Sequence, residues 1–100
     1  MPTIQINQDT SDHPDVVFLK LQKYCDEKLV IKEVGGIKPN IVWTCEKRTG
    51  QFLEKGIRGT ITVHDSSPCR ISVEMDLPLL LSPIKYLFKK AIQEHLAKLL

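Results

Sequence analysis

Two runs of strict alternation, Ile57 to His64 and Cys69 to Asp76, constrain this chain more than any other feature of its sequence. Successive side chains of a strand point to opposite faces. Ile57, Gly59, Ile61 and Val63 therefore share one face, and Arg58, Thr60, Thr62 and His64 the other. Cys69, Ile71, Val73 and Met75 repeat the pattern against Arg70, Ser72, Glu74 and Asp76. Asp65-Ser66-Ser67-Pro68 turns the chain between them, so the two runs form a hairpin with one apolar face. Gly59 lies on the inward register, which points to a bulge or to the close approach of another backbone.

An apolar sheet face must be covered, and the sequence offers two amphipathic helices to cover it. In the last segment Ser82 is a natural N-cap and Pro83 the favoured first helical residue. Ile84, Leu87, Phe88, Ala91, Ile92, Leu96 and Leu99 follow as one stripe, with Lys85, Lys89, Lys90, Gln93, Glu94 and Lys98 on the remaining surface. A helix from Pro83 to Leu100 is a rod of about 27 Å, long enough to cross a sheet. At roughly 1.5–3 kcal/mol per large buried side chain, it is expected to be the main contributor to the core. The other helix opens after Asp9-Thr10-Ser11-Asp12, with Ser11 or Asp12 as the expected cap and Pro14 and Asp15 in its first turn. Val17, Phe18, Leu21, Tyr24, Cys25 and Leu29 recur at helical spacing, and Gly35-Gly36 predicts an end near Glu33. Leu29-Val30-Ile31 also fits an extended end.

Three further strands complete the plan. Thr3 to Asn7 alternates, and its shortness behind Pro2 suits a sheet edge. Ile41, Trp43 and Cys45 alternate with Val42, Thr44 and Glu46; Lys47 to Gly50 is turn chemistry, and Gln51 to Glu54 reads as a short return strand. The pairing of residues 46–57 is left open by the pattern. The order β-α-β-β-β-β-α predicts an α+β fold: one domain over residues 1–100, an antiparallel sheet of about five strands, and the C-terminal helix packed across it.

Composition excludes several classes of function. With 14 basic and 12 acidic residues the net charge is +2, too balanced to indicate nucleic acid, and no nucleic-acid partner is expected. Cys25, Cys45 and Cys69 are odd in number and widely spaced, which argues against a disulfide framework and a zinc site and suits a reducing cytoplasm. The polar first residues contain no signal-peptide core. The longest apolar run, Leu77 to Leu81, is interrupted by Pro78 and falls far short of the ~20 residues of a membrane span. A cytoplasmic protein is expected.

No catalytic, metal or cofactor signature is present, and none of these sites is predicted. Cys69 with His64 and Asp65 is the nearest approach to a nucleophile set, yet the hairpin turns Cys69 inward and His64 outward. His13, His64 and His95 have no partner at metal-ligand spacing. His95, near the helix end, is explained by packing or by capping. Glu74 and Asp76 share the solvent face, as expected partners of Lys55, Arg58 or Arg70. Trp43 fits the core or the wall of a ligand pocket. The lysines of the last helix are an ordinary solvated face, with a membrane-surface or nucleic-acid helix as the alternative. The apolar surface from Leu79 to Leu81, with Ile84, Leu87, Phe88, Leu96, Leu99 and Leu100, exceeds what a small sheet needs, which points to a cavity or an interface.

Gly59 to Val63, Ile71 to Met75, Leu77-Pro78-Leu79-Leu80 and the Ile84–Leu100 helix resemble the polyhydroxyalkanoic acid system proteins. Ile4, Ile6 and Trp43 fit the same layout. The resemblance implies a bacterial cytoplasmic protein linked to polyhydroxyalkanoate granules, and it brings no catalytic or binding residues with it. Three readings compete. The first is a non-catalytic module that binds a granule surface or an acyl ligand between the last helix and the sheet. The second is a small cyclase-like enzyme in that groove, and the third a homo-oligomer, such as a dimer, assembled through the helix. The groove or interface residues expected under these readings are Trp43, Met75, Leu80, Ile84, Leu87, Phe88 and Ile92. The enzyme reading needs polar groups converging inside, and the inward strand positions are almost entirely apolar; the first reading is preferred, with the third compatible alongside it.

Overall fold

A computed structural model describes residues 3–27, 40–54, 56–66 and 68–99 of the chain. Strands β1 (Thr3–Thr10), β2 (Val42–Thr44), β3 (Thr49–Glu54), β4 (Ile57–His64) and β5 (Cys69–Asp76) form one antiparallel sheet in the order β1-β5-β4-β3-β2. Helix α1 (Pro14–Glu27), a 3-10 segment (Leu79–Ile84) and helix α2 (Lys85–Leu99) complete the described elements. This is the expected α+β architecture with the C-terminal helix on the sheet. The fold follows from the alternation: every inward residue of β4 and β5 is buried, from Ile57, Gly59, Ile61 and Val63 to Cys69, Ile71, Val73 and Met75. Helix α1 packs over β4 and α2 over β1, and the two helices touch each other.

β1 sits at a sheet edge, as its sequence suggested, but runs three residues past Asn7. Gln8, Asp9 and Thr10 stay in register with Ile71, Arg70 and Cys69, and Arg70 Nε donates to Asp9 Oδ1 at 2.8 Å. That cross-strand pair continues the ladder where the alternation fades, and it engages Arg70 away from Glu74 and Asp76. Asp76 instead accepts from Thr3 Oγ1 at 3.0 Å and stands opposite Arg58 on β4.

The cap of α1 is His13, not Ser11 or Asp12. Its Nδ1 accepts the Asp15 N–H at 3.2 Å and its carbonyl accepts the Val17 N–H at 3.0 Å. Asp12 is drawn to Lys20 Nζ at 3.1 Å, which leaves the capping position to its neighbour. The expected end of this helix near Glu33 lies outside the described residues.

β2 is shorter than the alternation from Ile41 to Glu46 implied. The chain already turns at Cys45, where the Arg48 N–H reaches the Cys45 carbonyl at 3.3 Å and Arg48 takes φ 48°. Cys45 is therefore exposed rather than inward. β3 starts at Thr49, not Gln51, because Gly50 must lie opposite Trp43. Arg48 anchors this corner: its carbonyl accepts from Val63 N–H at 2.9 Å, and its guanidinium reaches Asp15 of α1 at 2.8 Å. Gly56, at φ 79°, makes the β3–β4 turn in the left-handed region that suits glycine. β3 thus pairs with both β2 and β4, which settles residues 49–54 as a central strand.

The largest departure is at the C-terminal helix. Ser82 and Pro83 do not start it; they lie inside the 3-10 segment, which follows Pro78. Leu81 N–H bonds the Pro78 carbonyl at 2.9 Å and Lys85 N–H bonds the Ser82 carbonyl, the i to i−3 pattern of a tight helix. Pro83 has no N–H to give, so its turn continues in this form until Lys85. Nor does α2 dominate the core, since Phe88, Ala91 and Leu96 are its only buried residues. The sheet face and Val17, Phe18, Leu21 and Cys25 of α1 supply most of it. Leu87, assigned to the stripe, points away from the sheet.

Candidate functional site

The groove between helices and sheet is closed from within by two aromatic rings lying over glycines. Trp43 is opposite Gly50 and Phe52 opposite Gly59 in register. A Cβ on Gly50 would meet the Trp43 ring at 2.6 Å, and one on Gly59 would come closer than 3.0 Å to the Phe52 ring. The missing side chains are what let the rings lie flat. Trp43 then meets Phe18 of α1 edge to face, with centroids 5.6 Å apart. Among the described residues, Trp43 Nε1 is buried without a hydrogen-bond partner.

What remains of the groove is a cavity of about 50 Å³, walled by Cys25, Ile41, Phe52, Ile61, Met75 and Leu96 among others. Small-molecule sites span roughly 300–1,000 Å³. The volume of this cavity lies well below that range. Tyr24 and His95, both half-buried, belong to its wall. The Tyr24 hydroxyl and His95 Nδ1 are 2.5 Å apart and join α1 to α2. This is the packing role expected for His95.

Burial governs the titration of this region. It raises the Tyr24 hydroxyl, helped by Cys25, and pushes the Cys25 thiol up to about 12, helped by Asp26. A neutral folded thiol and an unfolded thiol that ionises at its ordinary 9.0 fix a sign: above that pH the unfolded chain binds fewer protons. Stability is therefore retained below pH 9.0 and lost as pH rises toward about 12. Cys25→Ala is expected to flatten this decline, by up to about 1.4 kcal/mol per pH unit. Urea midpoints of the two proteins below and above pH 9.0 measure it; identical slopes would contradict it.

The other chemical candidates do not assemble. Cys69 is buried, its thiol raised by desolvation and then by Asp65, while His64 Nε2 bonds Ser72 Oγ at 3.0 Å on the opposite face. Ser72 in turn bonds Asn7 Oδ1 at 2.8 Å. This Asn7–Ser72–His64 chain across β1, β5 and β4 was not foreseen, although the alternation places all three residues outward. Both of its hydrogen bonds are exposed. Among the described residues no three His, Cys, Asp or Glu side chains converge as metal ligands.

The predicted groove or interface residues divide into two groups. Met75 and Ile92 line the cavity, and Trp43, Ile84 and Phe88 pack in or against the core. Leu80 and Leu87 lie outside it, with Leu79 and Tyr86. Their exposures are 89% and 57%, against 73% for Leu79 and 87% for Tyr86. The 3-10 segment buries none of its residues. At ~2.0 Å per residue in the 3-10 segment and ~1.5 Å in the helix, Leu79 and Leu87 are at most about 15 Å apart along the chain axis. Four large apolar side chains are thus exposed along the short stretch from Leu79 to Leu87, which also carries Lys85 and is followed by Lys89 and Lys90; Val16, Leu19, Val42 and Leu53 are exposed elsewhere among the described residues. Sequence periodicity missed Tyr86 and assigned Leu87 to the core stripe, of which it marks only the edge, since the buried face of α2 is Phe88, Ala91 and Leu96.

Residues 18–100 match the family described as Putative polyhydroxyalkanoic acid system protein, and the chain belongs to that family. No curated protein and no solved structure matches it. Among the described residues no helix is long and apolar enough to cross a membrane.

Proposed function

We propose that this member of the polyhydroxyalkanoic acid system family is a non-catalytic protein of the bacterial cytoplasm that seats on the surface of polyester storage granules. The observation that carries the reading is the exposed apolar end formed by Leu79, Leu80, Tyr86 and Leu87. Single apolar residues are ordinary on a protein surface, whereas four exposed along one short stretch, Leu79 to Leu87, support an interaction site. The family supplies the setting, since its description refers to the polyhydroxyalkanoic acid system. The filled groove argues against internal capture of an acyl chain, because the cavity of about 50 Å³ would have to open severalfold. Against an enzyme in that groove stands the lining among the described residues, where Tyr24 and His95 are the polar pair and the rest is apolar apart from the Cys25 thiol.

Co-sedimentation with purified polyhydroxyalkanoate granules tests the proposal. The wild-type chain is expected to pellet with granules, and the Leu80→Asp/Leu87→Asp variant to bind at least about tenfold more weakly, since each buried leucine contributes roughly 1.5–3 kcal/mol. Both positions are exposed, so the variant retains its fold. Undiminished pelleting of the variant would refute the assignment of this surface. Self-association through the same residues, the competing use, would appear as a variant-sensitive dimer in the absence of granules.

A further inference from the structure

We infer that the exposed stretch from Leu79 to Leu87 is an anchor for an anionic phospholipid surface and not for bare polyester. The inference rests on the proposed docking surface and adds the chemistry of its partner. Charge is the first argument. Between Asp76 and Glu94 the chain carries Lys85, Lys89 and Lys90 and no acidic residue. The ion pairs formed among the described residues engage Asp9, Asp12 and Asp15 with His13, Lys20, Arg48 and Arg70, and none involves these three lysines. Their positive charge is left to solvent or to a partner.

Placement is the second argument. Residues three and four apart are neighbours on a helix. Lys89 and Lys90 therefore flank Tyr86, and Lys90 flanks Leu87. Lys85 and Lys89 are half-buried and Lys90 is exposed, and a lysine in that position can bury its stem while its ammonium group meets a surface. Leucines beside lysines, with a tyrosine between them, are the composition of an element that lies in a lipid interface. The leucines enter the acyl boundary, the tyrosine ring sits at headgroup level, and the lysines meet the phosphates.

Other partners fit less well. A second copy of this chain would bring like-charged lysines face to face, because a two-fold contact places the same patch on both sides. Nucleic acid would satisfy the lysines and leave the leucines in water. A bare polyester surface offers neutral esters, with nothing to match three uncompensated cations. A lysine near an anionic membrane surface strengthens binding by about fivefold, so three give roughly a hundredfold preference over a neutral surface at moderate salt.

The test compares three surfaces in parallel: phosphatidylcholine vesicles, vesicles of equal parts phosphatidylcholine and phosphatidylglycerol, and lipid-free polyester particles. The wild-type chain is expected to sediment with the anionic vesicles at least about thirtyfold more tightly than with neutral ones, a preference that salt erodes. Lys85→Glu/Lys89→Glu/Lys90→Glu should abolish the preference, and Leu80→Asp/Leu87→Asp should abolish vesicle binding, with thermal unfolding confirming that both variants fold. Equal binding to the two vesicle types, or binding to polyester particles alone, would overturn the lipid inference and leave the granule reading standing. Binding to none of the three surfaces would overturn both.

Discussion

Replacing Phe88 by alanine is expected to lower the stability of this protein by about 3–5 kcal/mol, while Leu87→Ala, one residue away, changes it by no more than about 0.5 kcal/mol. Phe88 is fully buried. It is the largest of the three buried side chains of α2, so its loss empties the contact between that helix and the sheet. Leu87 is more than half exposed and has no comparable volume to leave behind. A domain of this size has a total stability of roughly 5–15 kcal/mol, so Phe88→Ala would be near the limit of folding. The urea midpoint reads the effect, with an unchanged m-value as evidence that both variants unfold from the same native state. Equal losses at the two positions would mean that α2 is rotated from the orientation described.

Gly59→Ala should destabilise by about 1–3 kcal/mol, although alanine suits a strand at least as well as glycine does. The added methyl would enter the space of the Phe52 ring. That ring must then swing off β4, and it leaves the cavity wall as it goes. The sign separates two roles for this glycine. If it served only backbone freedom, alanine would be neutral or stabilising through the unfolded chain. If it exists to let a ring lie flat, alanine destabilises, and Phe52→Leu in the same chain should recover much of the loss. Thermal unfolding of the two single variants and the double variant decides between them.

The two cases show what the sequence could and could not reveal. Alternation in β4 and β5 identified every buried position of that hairpin, because a strand with one buried face has a fixed period and a slip would expose the whole apolar set. Gly59 was legible as a site of close approach, but the partner proved to be an aromatic ring rather than a backbone, and Phe52 belongs to a strand whose pairing was ambiguous. β2 and β3 were misjudged at their ends because the turn from Cys45 to Arg48 uses a left-handed arginine, where glycine would have been the signal. His13 was passed over as a cap because aspartate and serine are the stronger formers; Lys20 took Asp12 away through a contact made eight residues later.

The exposed end was only half legible. Apolar excess between Leu79 and Leu100 was visible, and so was the conflict between that excess and a small sheet. Its division was not. A stripe drawn from Ile84 took Leu87 into the core set, whereas the buried face of α2 is Phe88, Ala91 and Leu96, and Leu87, about 100° around the helix from Phe88, falls at its margin. Short 3-10 segments have no distinctive period over six residues, so the one that holds Ser82 and Pro83 could be found only in three dimensions.

The stretch from Leu79 to Leu87, and not the groove or the outer sheet face, is expected to meet the granule. A polarity-sensitive dye on Leu80→Cys, in a chain where exposed Cys45 is replaced by serine, tests it most directly; the same dye on Gln5→Cys, on the solvent face of β1, serves as reference. The account predicts that granules shift the Leu80→Cys dye to the blue and leave the Gln5→Cys dye unchanged. An unshifted dye at position 80 in protein that has pelleted with granules would contradict it.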